Sequence, residues 1–239
     1  MRILCYGDSN TYGWHETNDG SVTRWPVEAT WPYQLAKALG PQVSLEVDGL
    51  SGRTSAFDRP ESPDNGTGSL LGSLFNGARY LPVALSRTMP VDLVILMLGT
   101  NDFNAQLRRS PEESAQGIAQ CLSAIRNRSG YSLMPYRTPD VLLLSPPRLA
   151  MTGTPGEVYF PEADAKTQVI ATHFAQVAHY YGAHFFDVAQ VIPNAHDTDN
   201  LHLNLDDHTL LAQTLLPIVE GILHQREQNT VLTFRPALS

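Results

Sequence analysis

A chain of 239 residues is long enough to bury the core of one large domain, and no linker-like segment divides it, so we expect a single domain over residues 1–239. The formal net charge is −8 and the 16 lysines and arginines are scattered, which excludes the clustered basic surface typical of nucleic-acid-binding proteins. No run approaches the roughly 20 apolar residues of a membrane span, and Met1 leads directly into a predicted strand, so a cytoplasmic protein without a membrane partner is expected.

Short apolar runs alternate along the chain with longer segments of helical periodicity, the pattern of a parallel sheet covered by helices on both faces. The run Asp92 to Leu98 is apolar at every position after its first residue, as expected for a central strand. The pattern therefore predicts an α/β fold, a three-layer α/β/α sandwich around a five-stranded parallel sheet. The predicted strands are Arg2 to Tyr6, Val43 to Val47, Asp92 to Leu98, Val141 to Ser145 and His184 to Phe186.

Helices are predicted in the gaps between these strands. The clearest start is Ser110-Pro111-Glu112-Glu113, in which Ser110 caps the helix and Glu113 completes a capping box. Cys5 and Cys121 fall inside a predicted strand and a predicted helix, so they indicate neither a disulfide framework nor a metal site. The other predicted helices are Thr30 to Leu39, Asn76 to Arg87, Pro161 to Tyr181 and Asp206 to Gln225.

Three segments, residues 7–28, 50–74 and 146–160, are too long to be plain connectors. Each leaves the carboxyl end of a predicted strand, the edge at which open α/β sheets bind their ligands. The sequence therefore predicts a pocket built from all three segments.

Residue types required for serine-dependent acyl transfer stand at the two ends of the chain. Gly7-Asp8-Ser9-Asn10 follows the first predicted strand, and Asp199-Asn200-Leu201-His202 lies almost two hundred residues later. Attack on a carbonyl requires a hydroxyl, a base that takes its proton and a group that holds the base. A serine, a histidine and an aspartate are present in these motifs.

Two further blocks lie between these ends: Gly49 within Asp48-Gly49-Leu50-Ser51-Gly52, and Gly99-Thr100-Asn101-Asp102. In order and spacing the four blocks resemble those of SGNH (GDSL-type) hydrolases, across the whole chain. Trp14 and the runs at 49–54 and 75–82 resemble the arylesterase and acyltransferase branch of that family. The resemblance implies the flavodoxin-like SGNH hydrolase fold.

The resemblance also implies a role for individual residues. Ser9 would be the nucleophile, His202 its base and Asp199 the group that orients the imidazole. The oxyanion would be held by the backbone N–H groups of Ser9 and Gly49 and by the side-chain amide of Asn101. A role as turn formers is the alternative for Gly49 and Asn101.

Four residues are predicted to line the substrate pocket: Asn10, Trp14, Phe103 and Leu201. Core packing is the alternative for Trp14 and Phe103. Asn10 stands where the family often has leucine, which leaves the nucleophile in place and changes only the local polarity.

Other histidines are alternative candidates for the general base. His208 follows two aspartates, but leucine stands at position 205, where the Asp-x-x-His spacing requires aspartate. His15 is close to Ser9 in sequence and is interpreted as an exposed loop residue, with pocket lining as the alternative. His184 and His196 are the remaining rivals.

These features predict a serine esterase that cleaves small aryl or acetyl esters through an acyl-enzyme, which water or an alcohol acceptor resolves. A carbohydrate acetylesterase is the alternative within that class, since it shares the chemistry and differs in the pocket. A non-catalytic phosphate-binding module is less favoured, because the loop after the first strand lacks the Gly-x-Gly-x-x-Gly pattern and such a module does not need Asp199 and His202.

No cofactor and no metal are implied, and the expected partners are a small-molecule ester and an alcohol acceptor. The resemblance also implies a homo-oligomer such as an octamer. Residues 50–74 and 230–239 are candidate contact surfaces because neither belongs to the predicted core, the alternative being loops folded over their own subunit.

Overall fold

The apolar run predicted at Asp92 to Leu98 forms the middle strand of a parallel sheet in the computed structural model, which describes residues 1–17, 19–60 and 71–233. All five residues of this strand, Leu93–Met97, are buried. A strand covered on both faces needs apolar side chains at every position, which explains why the run does not alternate with polar residues.

The described residues contain seven strands and six α-helices. The strands are β1 (Arg2–Gly7), β2 (Trp14–Glu16), β3 (Val22–Arg24), β4 (Ser44–Gly49), β5 (Leu93–Met97), β6 (Asp140–Ser145) and β7 (His184–Asp187). The helices are α1 (Ser9–Tyr12), α2 (Trp31–Leu39), α3 (Gly77–Thr88), α4 (Pro111–Arg126), α5 (Ala163–Tyr181) and α6 (Leu205–Thr233).

Five of these strands form the main sheet in the order β4-β1-β5-β6-β7, with every neighbouring pair parallel. The five predicted strands are therefore confirmed to within two residues at each end. Because the sheet is parallel, all of its strands end at one edge. Gly7 and Gly49 are directly paired there, at the ends of β1 and β4.

The core divides into two apolar layers, one on each face of the sheet. Val94 and Leu96 of β5 pack into the layer that contains buried residues of α3, α4 and α5. Leu93 and Ile95 pack into the other layer, with buried residues of α2 and α6. Successive side chains of β5 thus pack against helices on opposite faces of the sheet, which gives three layers. The predicted α/β/α sandwich is confirmed.

Helix α4 begins as its sequence predicts. Ser110 accepts a hydrogen bond from the backbone N–H of Glu113, and the Glu113 carboxylate accepts one from the backbone N–H of Ser110. Reciprocal bonds of this kind satisfy two N–H groups that the first helical turn leaves without partners.

Helix α6 continues to Thr233, eight residues past the predicted end at Gln225. Arg226 is 6% exposed and donates to the carboxylates of Asp92 (3.1 Å) and Asp140 (2.9 Å), which lie just before and at the start of strands of the sheet. This anchor holds the added turns against the amino-terminal edge of the sheet. Residues 230–233 of the predicted tail are therefore helical, and residues 234–239 lie outside the described residues.

The described residues of the segment 7–28, predicted to be more than a plain connector, include α1 and a short hairpin. Trp14 pairs with Arg24 and Glu16 with Val22 across β2 and β3. The backbone N–H of Trp25 donates to the carbonyl of Gly13 at 2.8 Å and closes the hairpin. The sequence prediction missed both strands because each contains only three residues.

Of the segment 50–74, the structure describes residues 50–60 and 71–74. A homo-oligomer with this segment and the tail as contact surfaces stays a prediction. Across the described ranges, no helix combines the length and the apolar character needed to cross a bilayer.

Candidate active site

Ser9 lies at the sharp turn between β1 and α1, at the carboxyl edge of the sheet. Asp8 caps the helix, because its carboxylate accepts a hydrogen bond from the backbone N–H of Asn10 at 3.0 Å. The turn requires glycine at position 7, since a Cβ there would lie 2.0 Å from the Thr11 hydroxyl oxygen. The turn presents the Ser9 side chain beyond the end of the strand, with 5% of the residue exposed.

The structure brings Ser9, His202 and Asp199 into one hydrogen-bonded chain. The Oγ of Ser9 lies 2.8 Å from Nε2 of His202, and Nδ1 of the same ring lies 2.5 Å from Oδ2 of Asp199. Asn200 takes a left-handed conformation (φ 54°) between them, which turns the chain so that the aspartate faces the histidine. The arrangement can take the Ser9 proton on Nε2 while Nδ1–H donates to Asp199.

Asp199 is held in its charged form. Burial alone would raise the pKa of this carboxyl, but hydrogen bonding to the His202 ring, the charge on that ring and two backbone N–H donors lower it. Those donors are Leu201 and His202, each 2.9 Å from Oδ1. One carboxylate oxygen therefore organises the backbone of the loop while the other orients the imidazole.

The residues predicted as oxyanion donors meet at the same edge of the sheet. A Cβ at Gly49 would lie 2.5 Å from the backbone nitrogen of Tyr12, so glycine is required at 49 by the close approach of α1. Asn101 is 8% exposed, and its Nδ2 lies 3.1 Å from the carbonyl oxygen of Arg53 and 3.4 Å from Oδ2 of Asp8. The donor roles of Ser9, Gly49 and Asn101 stay predictions.

Asp8 links the serine turn to Asn101, a role that the sequence did not reveal. The residue is 1% exposed, and burial raises the pKa of its carboxyl to about 6 against the opposing effects of the Asn10 N–H and of the charges on His202 and Arg53. The Asp8 carboxyl lies between the serine turn and Asn101 and fixes the distance between them. Asp102 plays a similar part nearby, because it accepts hydrogen bonds from the hydroxyls of Ser55 (2.7 Å) and Ser114 (2.5 Å).

His208 lies in the core, and its hydrogen-bond partner is the backbone of Trp31 rather than Ser9. It is fully buried, and its Nδ1 accepts a hydrogen bond from the backbone N–H of Trp31 at 3.2 Å. Burial, followed by the charge on His202, lowers the pKa of His208 to about 4. This neutral core residue does not compete with His202 for the serine proton.

The neutral state of His208 predicts an acid-dependent loss of stability. A solvated histidine, with its ordinary pKa of 6.5, takes up a proton in the unfolded chain, whereas His208 in the folded protein does so only near pH 4, so stability falls as the pH drops from about 6.5 towards 4. At pH 5 the loss is about 2 kcal/mol relative to pH 7. His208→Asn keeps an acceptor for the Trp31 N–H and removes the titration, so its free energy of unfolding should change less between pH 7 and pH 5 than that of the parent. Equal changes in both proteins would contradict this prediction.

Two other histidines also pair with aspartates in the same region. Nδ1 of His15 lies 2.9 Å from Asp197, and its ring stacks on Trp25 with centroids 3.6 Å apart. The interpretation of His15 as an exposed loop residue is therefore wrong, because it belongs to β2 and its side chain is only 15% exposed. Nδ1 of His196 lies 2.7 Å from Asp207. Among the described histidines, His202 is the one bonded to Ser9.

A cleft of about 840 Å³ opens beside His202. Trp14 and Leu201, both predicted as pocket residues, line it, and the Trp14 ring centroid lies 4.0 Å from that of His202. The cleft walls come from residues 14, 16, 17 and 20, from Asn104, from residues between 151 and 160, and from residues 198–202. The sequence did not single out three of the wall side chains, Met151, Tyr159 and Phe160.

The pocket roles predicted for Asn10 and Phe103 do not fit their positions. Phe103 is fully buried in the apolar layer with α4 and α5, and Asn10 is 2% exposed. An aromatic side chain after a strand serves a core or a pocket equally well, which is why the sequence did not separate the two for Phe103. The described part of residues 50–74 also lies outside this cleft, so two of the three predicted segments form its walls.

The sequence profile of the GDSL-like lipase/acylhydrolase family matches residues 5–210, which include all four motif blocks and the Ser9–His202–Asp199 chain. This protein belongs to the GDSL-like lipase/acylhydrolase family. Over the described residues of this GDSL-family protein, no group of three or more His, Cys, Asp or Glu side chains is placed to hold a metal ion.

Solved structures of esterases share this fold. Est24, a carbohydrate acetylesterase from Sinorhizobium meliloti, is 31% identical, with a TM-score of 0.83 over 92% of this chain and 99% of its own. The aryl esterase from M. smegmatis is 34% identical, with a TM-score of 0.82 over the same shares. A carbohydrate acetylesterase family member from Sinorhizobium meliloti is 29% identical, with a TM-score of 0.79 over 93% of this chain and 99% of its own. No curated protein sequence gives a significant match.

Proposed function

We propose that this GDSL-family protein is a serine esterase that hydrolyses small carboxylic esters through a covalent acyl-enzyme on Ser9. The observation that carries the proposal is the 2.8 Å contact between Ser9 Oγ and His202 Nε2, continued to Asp199 and open to a cleft beside His202. Family membership and the esterases among the structural neighbours support ester bonds as the substrate class.

The proposed reaction begins when Ser9 Oγ attacks the ester carbonyl carbon and its proton passes to Nε2 of His202. The resulting oxyanion is stabilised by the backbone N–H groups of Ser9 and Gly49 and by the Asn101 amide, each such donor being worth about 3 kcal/mol. Of the two Asn101 contacts, the 3.4 Å one to Asp8 is the longer, so the proton facing Asp8 is the one more easily redirected to the oxyanion.

Collapse of the tetrahedral intermediate breaks the bond between the carbonyl carbon and the alcohol oxygen. The leaving alkoxide takes the proton from His202 and departs as the alcohol, which leaves an acyl ester on Ser9. Water then repeats the sequence: His202 removes a proton from the attacking water, and the acid is released as Ser9 regains its hydrogen.

The cleft lining favours an uncharged substrate. Trp14, Met151 and Tyr159 provide apolar contact surface, and the lining residues include the carboxylates Glu16 and Asp199 but no lysine or arginine within the described parts of the chain. Without a cationic group, an anionic acyl or alcohol moiety has no partner for its charge. We therefore favour neutral aryl and acetyl esters.

A carbohydrate acetylesterase is the second candidate, because hydrogen-bonding side chains stand in the same cleft. Glu16, Asn104 and Thr154 can bond sugar hydroxyls, and Est24 is a carbohydrate acetylesterase. The two candidate functions are compared by measuring kcat/KM for p-nitrophenyl acetate and for glucose pentaacetate. A kcat/KM higher for the aryl ester supports the first candidate, and one higher for the sugar ester supports the second. Turnover of neither ester would contradict the proposed function.

The proposal extends to transfer of the acyl group to alcohols, as the resemblance to the acyltransferase branch implies. The Trp14 ring packs 4.0 Å from the His202 ring and lines the cleft, so it adds apolar surface beside the position at which water or alcohol meets the acyl-enzyme. With vinyl acetate and benzyl alcohol in buffer, we expect benzyl acetate beside acetic acid, and a lower ester-to-acid ratio in Trp14→Ala. Trp14→Phe, which keeps an aromatic wall, is the matched control and should retain most of the ratio. Acid as the sole product, or a Trp14→Ala ratio equal to the parent's, would contradict this extension.

A further inference from the structure

The side chain of Asn10 bonds to the backbone on both sides of His202. Its Nδ2 donates to the carbonyl oxygen of Leu201 at 3.3 Å, and its Oδ1 accepts from the N–H of Leu203 at 2.9 Å. The two partners are the residues immediately before and after His202. One amide group therefore spans the peptide segment that carries the imidazole.

Asn10 is itself held rigidly. Its backbone N–H donates to Asp8 at 3.0 Å, and its carbonyl accepts from the indole N–H of Trp31 at 3.1 Å. The residue is 2% exposed and belongs to the first turn of α1. A side chain fixed at the backbone, at both amide atoms and by burial has little freedom to follow a moving loop.

The loop around His202, residues 197–203, also makes hydrogen bonds to other parts of the molecule. The Trp25 indole donates to the Leu203 carbonyl at 3.1 Å, and His15 contacts Asp197 at 2.9 Å. Both connect the loop to the hairpin region. Asn10, by contrast, is the residue next to Ser9, so its bonds to Leu201 and Leu203 set the distance between Ser9 and His202 through one peptide unit.

We propose that Asn10 is a positioning residue that holds Nε2 of His202 against Ser9 Oγ, an inference that rests on the proposed esterase function. The chemistry of the side chain suits this role, since its amide offers a donor to one backbone group and an acceptor to the other. Leucine at this position would fill a similar volume and satisfy neither group. Aspartate would keep an acceptor for the Leu203 N–H and would offer no proton to the Leu201 carbonyl when ionised.

The test compares Asn10→Leu and Asn10→Asp with Asn204→Leu. Asn204 is the matched control, since its side chain also makes two backbone contacts in this region, accepting from Asp207 N–H at 2.9 Å and donating to the His196 carbonyl at 3.3 Å. Neither of those contacts flanks His202. The readouts are kcat and KM for p-nitrophenyl acetate, the melting temperature, and the rate at which a fluorophosphonate labels Ser9.

Displacement of a catalytic group by about 1 Å costs on the order of 100-fold in rate, so we expect Asn10→Leu to lower kcat by about that factor. KM should stay within about threefold, because Asn10 does not line the cleft, and the labelling rate should fall together with kcat. Asn10→Asp should lose less, since it keeps one of the two bonds. Asn204→Leu should lower the melting temperature and leave kcat within about threefold of the parent.

Parental kcat in a folded Asn10→Leu protein would overturn the inference, as would an equal loss of kcat in Asn204→Leu. If Asn10→Leu shows no cooperative unfolding transition, Asn10→Asp decides: a lowered kcat with an unchanged KM supports positioning, and parental kcat overturns it. Ser9→Ala separates this inference from the proposed function. An inactive Ser9→Ala with a fully active Asn10→Leu refutes only the role of Asn10, whereas an active Ser9→Ala refutes both.

Discussion

Replacing Ser9 by alanine is expected to lower kcat for p-nitrophenyl acetate by at least about 10⁴-fold. Ser9 is the hydroxyl bonded to Nε2 of His202, so its removal eliminates both the nucleophile and the proton that the base accepts. The remaining groups can still bind the ester and polarise its carbonyl, which leaves a small residual rate. The measurement is kcat at saturating ester for the parent and the variant.

Thr11→Val is the matched control for Ser9→Ala. Thr11 lies in the same short helix, is fully buried, and its hydroxyl has no hydrogen-bond partner among the described residues. Valine keeps the branched shape, so we expect kcat close to the parental value. An equal loss in both variants would show that α1 had been disrupted, and parental activity in Ser9→Ala would contradict its role as nucleophile.

Replacing His202 by alanine is expected to lower kcat by about 10⁴- to 10⁶-fold, because the members of a catalytic triad act as a unit. Without the imidazole, the serine proton has no acceptor, and Asp199 is left without the group that it orients. For the same reason, the double variant Ser9→Ala/His202→Ala should be little worse than either single variant. Steady-state kinetics on all three proteins test the expectation.

His196→Ala is the control for the loss of a histidine bonded to an aspartate in this region. Its Nδ1 lies 2.7 Å from Asp207, a geometry similar to that of His202 and Asp199, but its side chain is 54% exposed and makes no bond to Ser9. We expect kcat within about threefold of the parent, because a mostly exposed ring outside the reacting groups contributes little. A collapse of activity in His196→Ala, with an active His202→Ala, would show that the base had been assigned to the wrong histidine.

The sheet and the capped start of α4 could be predicted from the sequence because their determinants are local. A strand buried on both faces shows as an unbroken apolar run, and Ser110 and Glu113 form their capping box within four residues. The Asp199–His202 contact is local in the same sense, since the partners are three positions apart. These features depend on periodicity and short spacing, which a single sequence displays.

The features that the sequence did not reveal depend on distant partners. Helix α6 extends past Gln225 where Arg226 reaches Asp92 and Asp140, residues more than eighty positions away. The pocket role predicted for Asn10 rests on its place after Ser9 in the first motif block. Its contacts with the backbone on either side of His202 span 191 and 193 positions, and no local pattern encodes them.

The central claim is that Ser9 forms a covalent intermediate with the help of His202. Treating the protein with a fluorophosphonate, followed by intact mass measurement and peptide mapping, tests this claim most directly. The account predicts one adduct per chain, located on Ser9, with loss of esterase activity in proportion to labelling and with greatly slowed labelling in His202→Ala. An adduct on a different serine, or full esterase activity in the completely labelled protein, would contradict it.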